Sequence, residues 1–393
     1  MSADLATSAT PGPTTPGSTT PGAATGRGDW HLTWHGVRTV AQLELRQRVR
    51  STRWKVALVV WFVVVGAITG LTTGALYALS DDAANRDPFG PLIFGIVVFF
   101  VLFLGLLVAP TLSAAAINGD RNAGTLATLQ ATLLSPAEIV VGKLLAAWAA
   151  ALAFLVASVP FIVWALAAGG VAVLSLLTTL LMLAFVLLVV CAIGLGFSAL
   201  VTKTSGSAVL TYLTVGGLAV LLPILFGLTA PLAMQNEEVR VWASVATVDG
   251  SVAPRCEWQT QTQTVFHTER TWWLLAPNPF VMVADAQPLP DPDDDAALGA
   301  SSPLTALQLA VRLARTGPAP EMDWCSGSFT VLDSDGNVTG SPESPVVEPE
   351  PSRNLVWPWG MAFQVLLAAG AVVVAVRKLR IPTRKLPKGT RVA

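Results

Sequence analysis

The chain has 393 residues, of which 53% are hydrophobic and only 12% are charged. A soluble domain carries about 25% charged residues, so this composition excludes an ordinary water-soluble domain. The formal net charge of −1 conceals separate basic and acidic regions, and the apolar residues fall in long blocks.

Six apolar blocks are long enough to cross a bilayer as helices, which takes about 20 mainly apolar residues. They do not alternate as the strands of a membrane barrel would. The sequence therefore predicts an all-α polytopic membrane protein with six transmembrane helices. The predicted spans are Val56–Leu79, Leu92–Ile117, Ile139–Ala168, Val171–Val201, Ala208–Leu232 and Trp357–Val376.

Charge and span number together predict the orientation. Arg38–Lys55 holds six basic residues and one acid, Arg377–Arg391 holds seven basic residues, and the segment 233–355 holds seventeen acids against six basic residues. Lys and Arg collect on the cytoplasmic side, and six spans return the chain to its starting side. We therefore expect a multi-pass protein of the cell (inner) membrane with both termini cytoplasmic and a large extracytoplasmic loop between spans five and six.

The chain before the first span divides into two parts. Residues 1–28 are rich in Pro, Gly, Thr, Ser and Ala, which is typical of a disordered tail. Residues 29–54 combine apolar positions at helical spacing with clustered arginines, which predicts an interfacial amphipathic helix; an ordinary basic flank is the alternative. The other predicted units are 55–232 with five spans, 233–355 outside, 356–376 as span six, and a basic tail, 377–393.

The acidic segment 233–355 contains three local predictions. Pro303–Thr316 is expected to be a helix that starts after Ser302, and Phe329–Leu332 with Val338–Thr339 a hairpin. The apolar stretch Thr271–Ala286 is too short to span and is expected in the outer membrane interface.

Cys256 and Cys325 are the two cysteines of this segment. An oxidising compartment favours a disulfide between them, and two free thiols are the alternative. Cys191 lies within span four and is expected to be buried and inert.

The spans hold little that could carry chemistry. None has an ionisable residue near its centre, and Lys143 is close enough to the end of span three to extend into water. Ion-coupled transporters need such groups at depth. Gly142-Lys143 is preceded by Ala137 where a phosphate-binding loop needs glycine, so the chain is not itself an ATPase and no cofactor is expected in it. Gly194 with Gly196, or Gly216 with Gly217, would let spans approach closely.

The most informative stretch is the inner loop 118–138 with the start of span three, NGDRNAGTLATLQATLLSPAEIVVGK. Leu126, Leu129 and Leu133 recur at helical spacing, which predicts a short amphipathic helix beginning near Thr125. Such a helix can seat in a groove of a partner protein; a structured connector is the alternative.

This pattern resembles the permease subunits of type-2 ABC exporters. The matching residues are Asp120-Arg121, Gly124-Thr125-Leu126, Leu129, Glu138-Ile139 and Gly142-Lys143. Ala41–Trp54 resembles the elbow helix of that family, and Pro277–Phe280 resembles a segment found before its last span. Two positions depart from the pattern: Leu133 replaces a common proline, and Asn122 stands where an acid is frequent.

The resemblance implies a partnership. Two permeases, identical or different, would pair in the lipid with two cytoplasmic ABC ATPases, which would hold ATP and Mg²⁺; no nucleic acid is involved. Asp120 and Arg121 would make polar contacts with the ATPase, unless they form a solvated charge pair. The residues expected to couple to the ATPase are Asn118, Gly119, Asp120, Arg121, Gly124, Thr125, Leu126 and Leu129.

Two other functions remain open from the sequence. A membrane-bound enzyme would need a nucleophile with a base, or clustered acids or histidines, at membrane depth, and the spans show none. A sensor or assembly factor would act through the extracytoplasmic loop. A neighbouring reading frame for an ABC ATPase would favour the transporter, and its absence would favour the sensor.

Overall fold

The computed structural model describes residues 28–79, 89–125, 134–245, 255–288, 302–325, 331–332, 338–340, 344–346 and 351–380. In this part of the chain six helices are long and apolar enough to cross a membrane, which confirms the predicted architecture. The six helices, called spans one to six, are Thr52–Leu79, Gly90–Ser113, Pro136–Ala167, Val173–Leu200, Thr204–Thr229 and Trp357–Lys378.

Spans two, three and four form the centre of the bundle, and spans one, five and six lie around them. In the most apolar 18-residue stretch of each span, 56% and 50% of the residues are buried in spans two and four, against 11–22% in the outer three spans. The central cluster includes Ile93, Val97 and Leu102 of span two and Leu183 and Val186 of span four, all nearly inaccessible. Since lipid is as apolar as these side chains, the central packing relies on close contact and on a few polar ties.

Span five contains a local π-helix at Gly217–Leu221. Pro223 has no N–H group to offer the carbonyl of Ala219 four residues earlier. That carbonyl instead accepts a hydrogen bond of 3.0 Å from Nδ2 of Asn278, and the N–H of Leu222 bonds to the carbonyl of Gly217. The irregular turn is therefore tolerated because a residue outside the span satisfies the freed group.

Only one of the two glycine pairs lies where helices approach closely. A Cβ on Gly196 would lie 2.8 Å from that of Ala371 in span six, and one on Gly194 would lie 2.1 Å from the hydroxyl of Ser113. A Cβ on Gly216 or Gly217 would meet nothing within 4 Å. Spans four and six thus pack directly through Gly196.

The segment 233–355, called the hairpin segment, contains a long antiparallel hairpin that we did not predict from its composition. Strand β1 (Met234–Val245) pairs with β2 (Arg255–Phe266) along its full length, and the short β3 (Glu321–Asp323) pairs with β1 in parallel. The helix Pro303–Thr316 is present as predicted, with Ser302 as its N-cap. Strands β4 (Val331–Leu332) and β5 (Val338–Gly340) form the predicted hairpin.

We expected the stretch 271–286 to face the outer membrane interface, but its second half is buried in protein, while Trp273 in its first half is 59% exposed. Its helix, Pro279–Asp285, is buried among the spans, and Met282, Val283 and Ala284 are completely inaccessible. Asn278 caps this helix by accepting from the N–H groups of Phe280 and Val281. The apolar side chains of this helix, which suggested contact with lipid, contact protein instead.

Asp285 joins this buried helix to the helix Pro303–Thr316 by an ion pair and to the start of span six by hydrogen bonds. Arg312 donates from Nε to Asp285 at 2.6 Å, and the second oxygen of Asp285 accepts from the N–H groups of Val356 and Trp357 at 2.6 and 2.8 Å. Asp285 thereby satisfies donors at the N-terminus of span six that have no intrahelical partner. The hairpin segment is joined rigidly to the bundle at this point.

Cys256 at the start of β2 and Cys325 after β3 form a disulfide, with their Cα atoms 6.0 Å apart. Cys191 is a free, buried cysteine in span four. The two cysteines are 69 residues apart in the sequence. A disulfide that closes so long a loop lowers the conformational entropy of the unfolded chain considerably and thereby stabilises the folded segment.

Replacing Cys256 with Ser should destabilise the hairpin segment by about 2–4 kcal/mol, because the closed loop is lost from the unfolded state. Hydrogen exchange of β1 and β3 should become faster, while exchange in the spans stays unchanged. Cys191→Ala is the matched control and should leave β1 unaffected. Equal exchange in β1 with and without the disulfide would contradict this expectation.

Candidate functional site

The inner loop leaves span two at the end of the bundle that also carries the N-terminal helix and the last turn of span six. We call this the basic end. The helix Asn118–Asn122 follows span two after one turn, and Gly124 has a φ of +72°. The predicted coupling residues Leu126 and Leu129 lie outside the described residues, so the predicted amphipathic helix after Thr125 stays a prediction.

Asn118 is fully buried and anchors the 118–125 segment to span four. The hydroxyl of Ser198 accepts from the N–H groups of Ile117 and Asn118 at 2.9 and 3.1 Å and donates to Oδ1 of Asn118 at 3.2 Å. Nδ2 of Asn118 donates to the carbonyl of Val201. Ser207, in the first turn of span five, donates to the carbonyl of Ala114. Spans two, four and five are therefore tied together where the inner loop begins.

Lys143 lies between two carboxylates rather than extending into water as expected. Its side chain is 1% exposed. Its Nζ bonds to Asp120 at 2.5 Å and also to Glu44 of the N-terminal helix. A buried cation is tolerated only when it is paired and hydrogen-bonded. This triad of Glu44, Lys143 and Asp120 joins the N-terminal helix, span three and the 118–125 segment at one point.

The N-terminal helix, Trp34–Arg50, packs along the start of span three. Its buried residues are Gly36, Val37 and Val40. A Cβ on Gly142 would lie 2.7 Å from the Cβ of Val40, and a Cβ on Gly36 would lie 2.7 Å from the carboxyl carbon of Glu138. Two glycines thus permit this contact.

Glu138 fastens the beginning of the N-terminal helix to span three. It belongs to a capping box with Ser135, whose N–H it accepts at 2.8 Å. The same carboxylate accepts from the N–H of Thr33 at 2.9 Å and from the Thr33 hydroxyl. The motif residues Glu138, Gly142 and Lys143 therefore all contact the N-terminal helix or the residue that caps it.

Arg48 makes a further bridge from the N-terminal helix. Its guanidinium donates to the carbonyl of Leu112 in the last turn of span two at 3.0 Å and to that of Ala146 in span three at 3.2 Å. Carbonyls in a last turn lack intrahelical donors. Burial lowers the pKa of Arg48, which the nearby Glu44 carboxylate opposes, and an arginine remains protonated at neutral pH.

The other predicted coupling residues are accessible. Arg121 is half-buried, and Gly124 and Thr125 are exposed. Within the described residues no carboxylate lies within 4.0 Å of the Arg121 guanidinium. Asp120 bonds to the buried Lys143, whereas its neighbour Arg121 is half-buried.

Reasoning from the sequence missed Glu44, Arg48 and Ser198 as members of this site. Glu44 had one available signal, since it is the single acid among the six basic residues of Arg38–Lys55. Nothing in the sequence distinguished Ser198 from other serines in the spans.

Comparison with known families agrees with this architecture. The family model for ABC-2 family transporter proteins matches residues 38–284. The match covers more than half of the chain, from the N-terminal helix through spans one to five to the buried helix at Ala284. The chain belongs to this family and is a multi-pass membrane permease of an ABC transporter. No curated protein matches the chain.

Replacing Lys143 with Met should destabilise the protein by about 3–5 kcal/mol, because Glu44 and Asp120 are left facing each other without a cation. Thermal unfolding in mild detergent measures the loss. Lys55→Met, at an exposed lysine of the same end, is the control and should change little.

A triple variant, Lys143→Met with Glu44→Gln and Asp120→Asn, removes all three charges and should recover much of the lost stability. If the triple variant is as unstable as Lys143→Met, the ion pairs are not the cause of the loss.

Proposed function

We propose that this permease is the membrane-spanning part of an ATP-driven exporter and couples to a separate ABC ATPase through the 118–125 segment. The observation that carries the proposal is the split within this segment. Asn118 and Asp120 face inward and are bound to spans three and four, while Arg121, Gly124 and Thr125 remain accessible.

In this proposal ATP and Mg²⁺ are held by the partner ATPase, and the chain itself supplies the mechanical connection. Arg121 is suited to an acidic group on the ATPase because its guanidinium forms paired, charge-assisted hydrogen bonds to carboxylates. Asp120 contributes by holding the segment to Lys143.

Force applied at Arg121 would reach the spans through the buried ties. Asn118 is bonded to Ser198 of span four, and Asp120 is paired with Lys143 of span three. Glu44 and Arg48 connect the N-terminal helix to the same region. Because each tie is short and buried, the segment and the span ends would move together. Such a movement could open a path between two paired permeases, which are identical or different chains.

The basic end faces the cytoplasm in this proposal, and the hairpin segment faces outward; the distribution of Lys and Arg supports this orientation. The membrane is then the cell (inner) membrane. The disulfide between Cys256 and Cys325 supports an oxidising surrounding for the hairpin segment.

The coupling assignment is tested by co-purification from mild detergent. Arg121→Glu together with Gly124→Pro should release the ATPase, since the charge is reversed and proline cannot adopt the φ of +72° found at Gly124. The control Arg53→Glu changes an exposed arginine outside the loop and should retain the ATPase.

Retention of the ATPase by the double variant would show that the coupling assignment is wrong. If no ATPase accompanies the unaltered chain, the sensor or assembly function becomes the better explanation.

The orientation is tested by labelling intact cells with a membrane-impermeant maleimide. Thr262→Cys, exposed on β2, should react directly, and Arg53→Cys only after the cells are permeabilised. The native cysteines are either buried or bonded. The reverse pattern of labelling would invert the proposed topology.

A further inference from the structure

An apolar groove runs along the outside of the bundle between spans four, five and six. It has a volume of about 250 Å³. Its lining includes Phe197 and Leu200 of span four, Thr214 of span five, and Leu367 and Gly370 of span six. The hydroxyl of Thr214 donates to the carbonyl of Leu210 within its own helix, so the walls offer a ligand almost entirely apolar contact.

Two small residues of span six shape this groove. Ala371 contacts span four at Gly196, which brings the two helices together at the base. Gly370, one residue before it, has open space where a side chain would be, with nothing within 4 Å of its ideal Cβ position. The groove is therefore open at the position where any other residue would project.

The groove lies in the half of the bundle next to the basic end. Spans four and six run in the same direction, and Leu200 and Val374 are the lining residues nearest their ends. Lys378 lies four residues beyond Val374, which is about one helical turn, and Lys203 lies three residues beyond Leu200, in the connection to span five. Both lysines and Arg377 are exposed, whereas Arg380 is paired with Asp29 at 2.7 Å.

We propose that this groove binds one acyl chain of an anionic phospholipid, with the headgroup held at Lys203, Arg377 and Lys378. A volume of 250 Å³ is below the range of about 300–1,000 Å³ usual for whole small-molecule ligands, and it suits a single chain. The apolar walls match the chain, and the exposed cations match a phosphate-bearing headgroup.

A second copy of this chain is a poorer occupant. A two-fold interface places the same surface patch on both subunits, so a dimer closed over this groove would bring the same lysines and Arg377 of each copy together. An anionic lipid neutralises these charges. The inference goes beyond the transport function and does not depend on the ATPase.

The test uses the full chain in lipid nanodiscs containing a phosphatidylglycerol with a photoactivatable diazirine in one acyl chain. Mass spectrometry should locate the crosslinks on residues 193–200 and 366–374. The matching phosphatidylcholine probe should label these residues less by about fivefold or more, since each nearby Lys or Arg contributes about 1 kcal/mol toward an anionic lipid.

Gly370→Leu fills the groove and should abolish this labelling. Gly70→Leu is the matched control, because Gly70 is an exposed glycine of span one that also has nothing within 4 Å of its Cβ position. Lys203→Gln with Arg377→Gln and Lys378→Gln should remove the preference for phosphatidylglycerol and leave labelling by phosphatidylcholine unchanged.

Undiminished labelling of Gly370→Leu would overturn the proposal, as would equal labelling of the unaltered chain by both lipids. Absence of labelling by either lipid at residues 193–200 and 366–374 of the unaltered chain would also overturn it, because a second copy would then be the better explanation of what covers the groove. If Gly370→Leu does not fold, the variant without the charges of Lys203, Arg377 and Lys378 still decides the headgroup preference, and a phosphatidylglycerol preference that persists in it would overturn the proposal. None of these results requires ATP, so they stand apart from the test of coupling.

Discussion

The structure at the basic end depends on one buried cation. Lys143 is almost completely inaccessible, and without Glu44 and Asp120 its charge would face an apolar bundle at high cost. Pairing with both carboxylates holds the N-terminal helix, span three and the 118–125 segment in one arrangement. The triad carries a formal charge of −1. Nearby, Arg48 and Glu138 add hydrogen bonds between the N-terminal helix and the spans.

These polar ties lie near the ends of the helices, whereas the centre of the bundle is apolar. A bilayer gives little driving force for apolar helices to associate, so small residues and hydrogen bonds select the neighbours. Gly196 against Ala371 and Trp61 bonded to Ser158 at 2.8 Å are two examples within the membrane.

The hairpin segment shows where reasoning from local pattern failed. Strand β2 contains the run Gln259–Thr264, in which glutamine and threonine alternate without an apolar face, so the usual signal of a half-buried strand is missing. Its pairing with β1 supplies the structure instead. For the helix Pro279–Asp285 the apolar signal was present but was assigned to contact with lipid instead of protein. Composition does not distinguish the two, because a short apolar helix can be buried by either.

The sequence alone determined the six spans, their approximate limits, the helix Pro303–Thr316 and the family resemblance, because hydropathy, capping residues and short motifs act over a few turns of chain. The tertiary structure decided which polar groups meet. Lys143 and Glu44 are 99 residues apart, and Asn118 and Ser198 are 80 apart. Such pairings depend on how the helices pack around one another, which no local pattern specifies, so the triad and the lipid-facing groove became visible only in the folded chain.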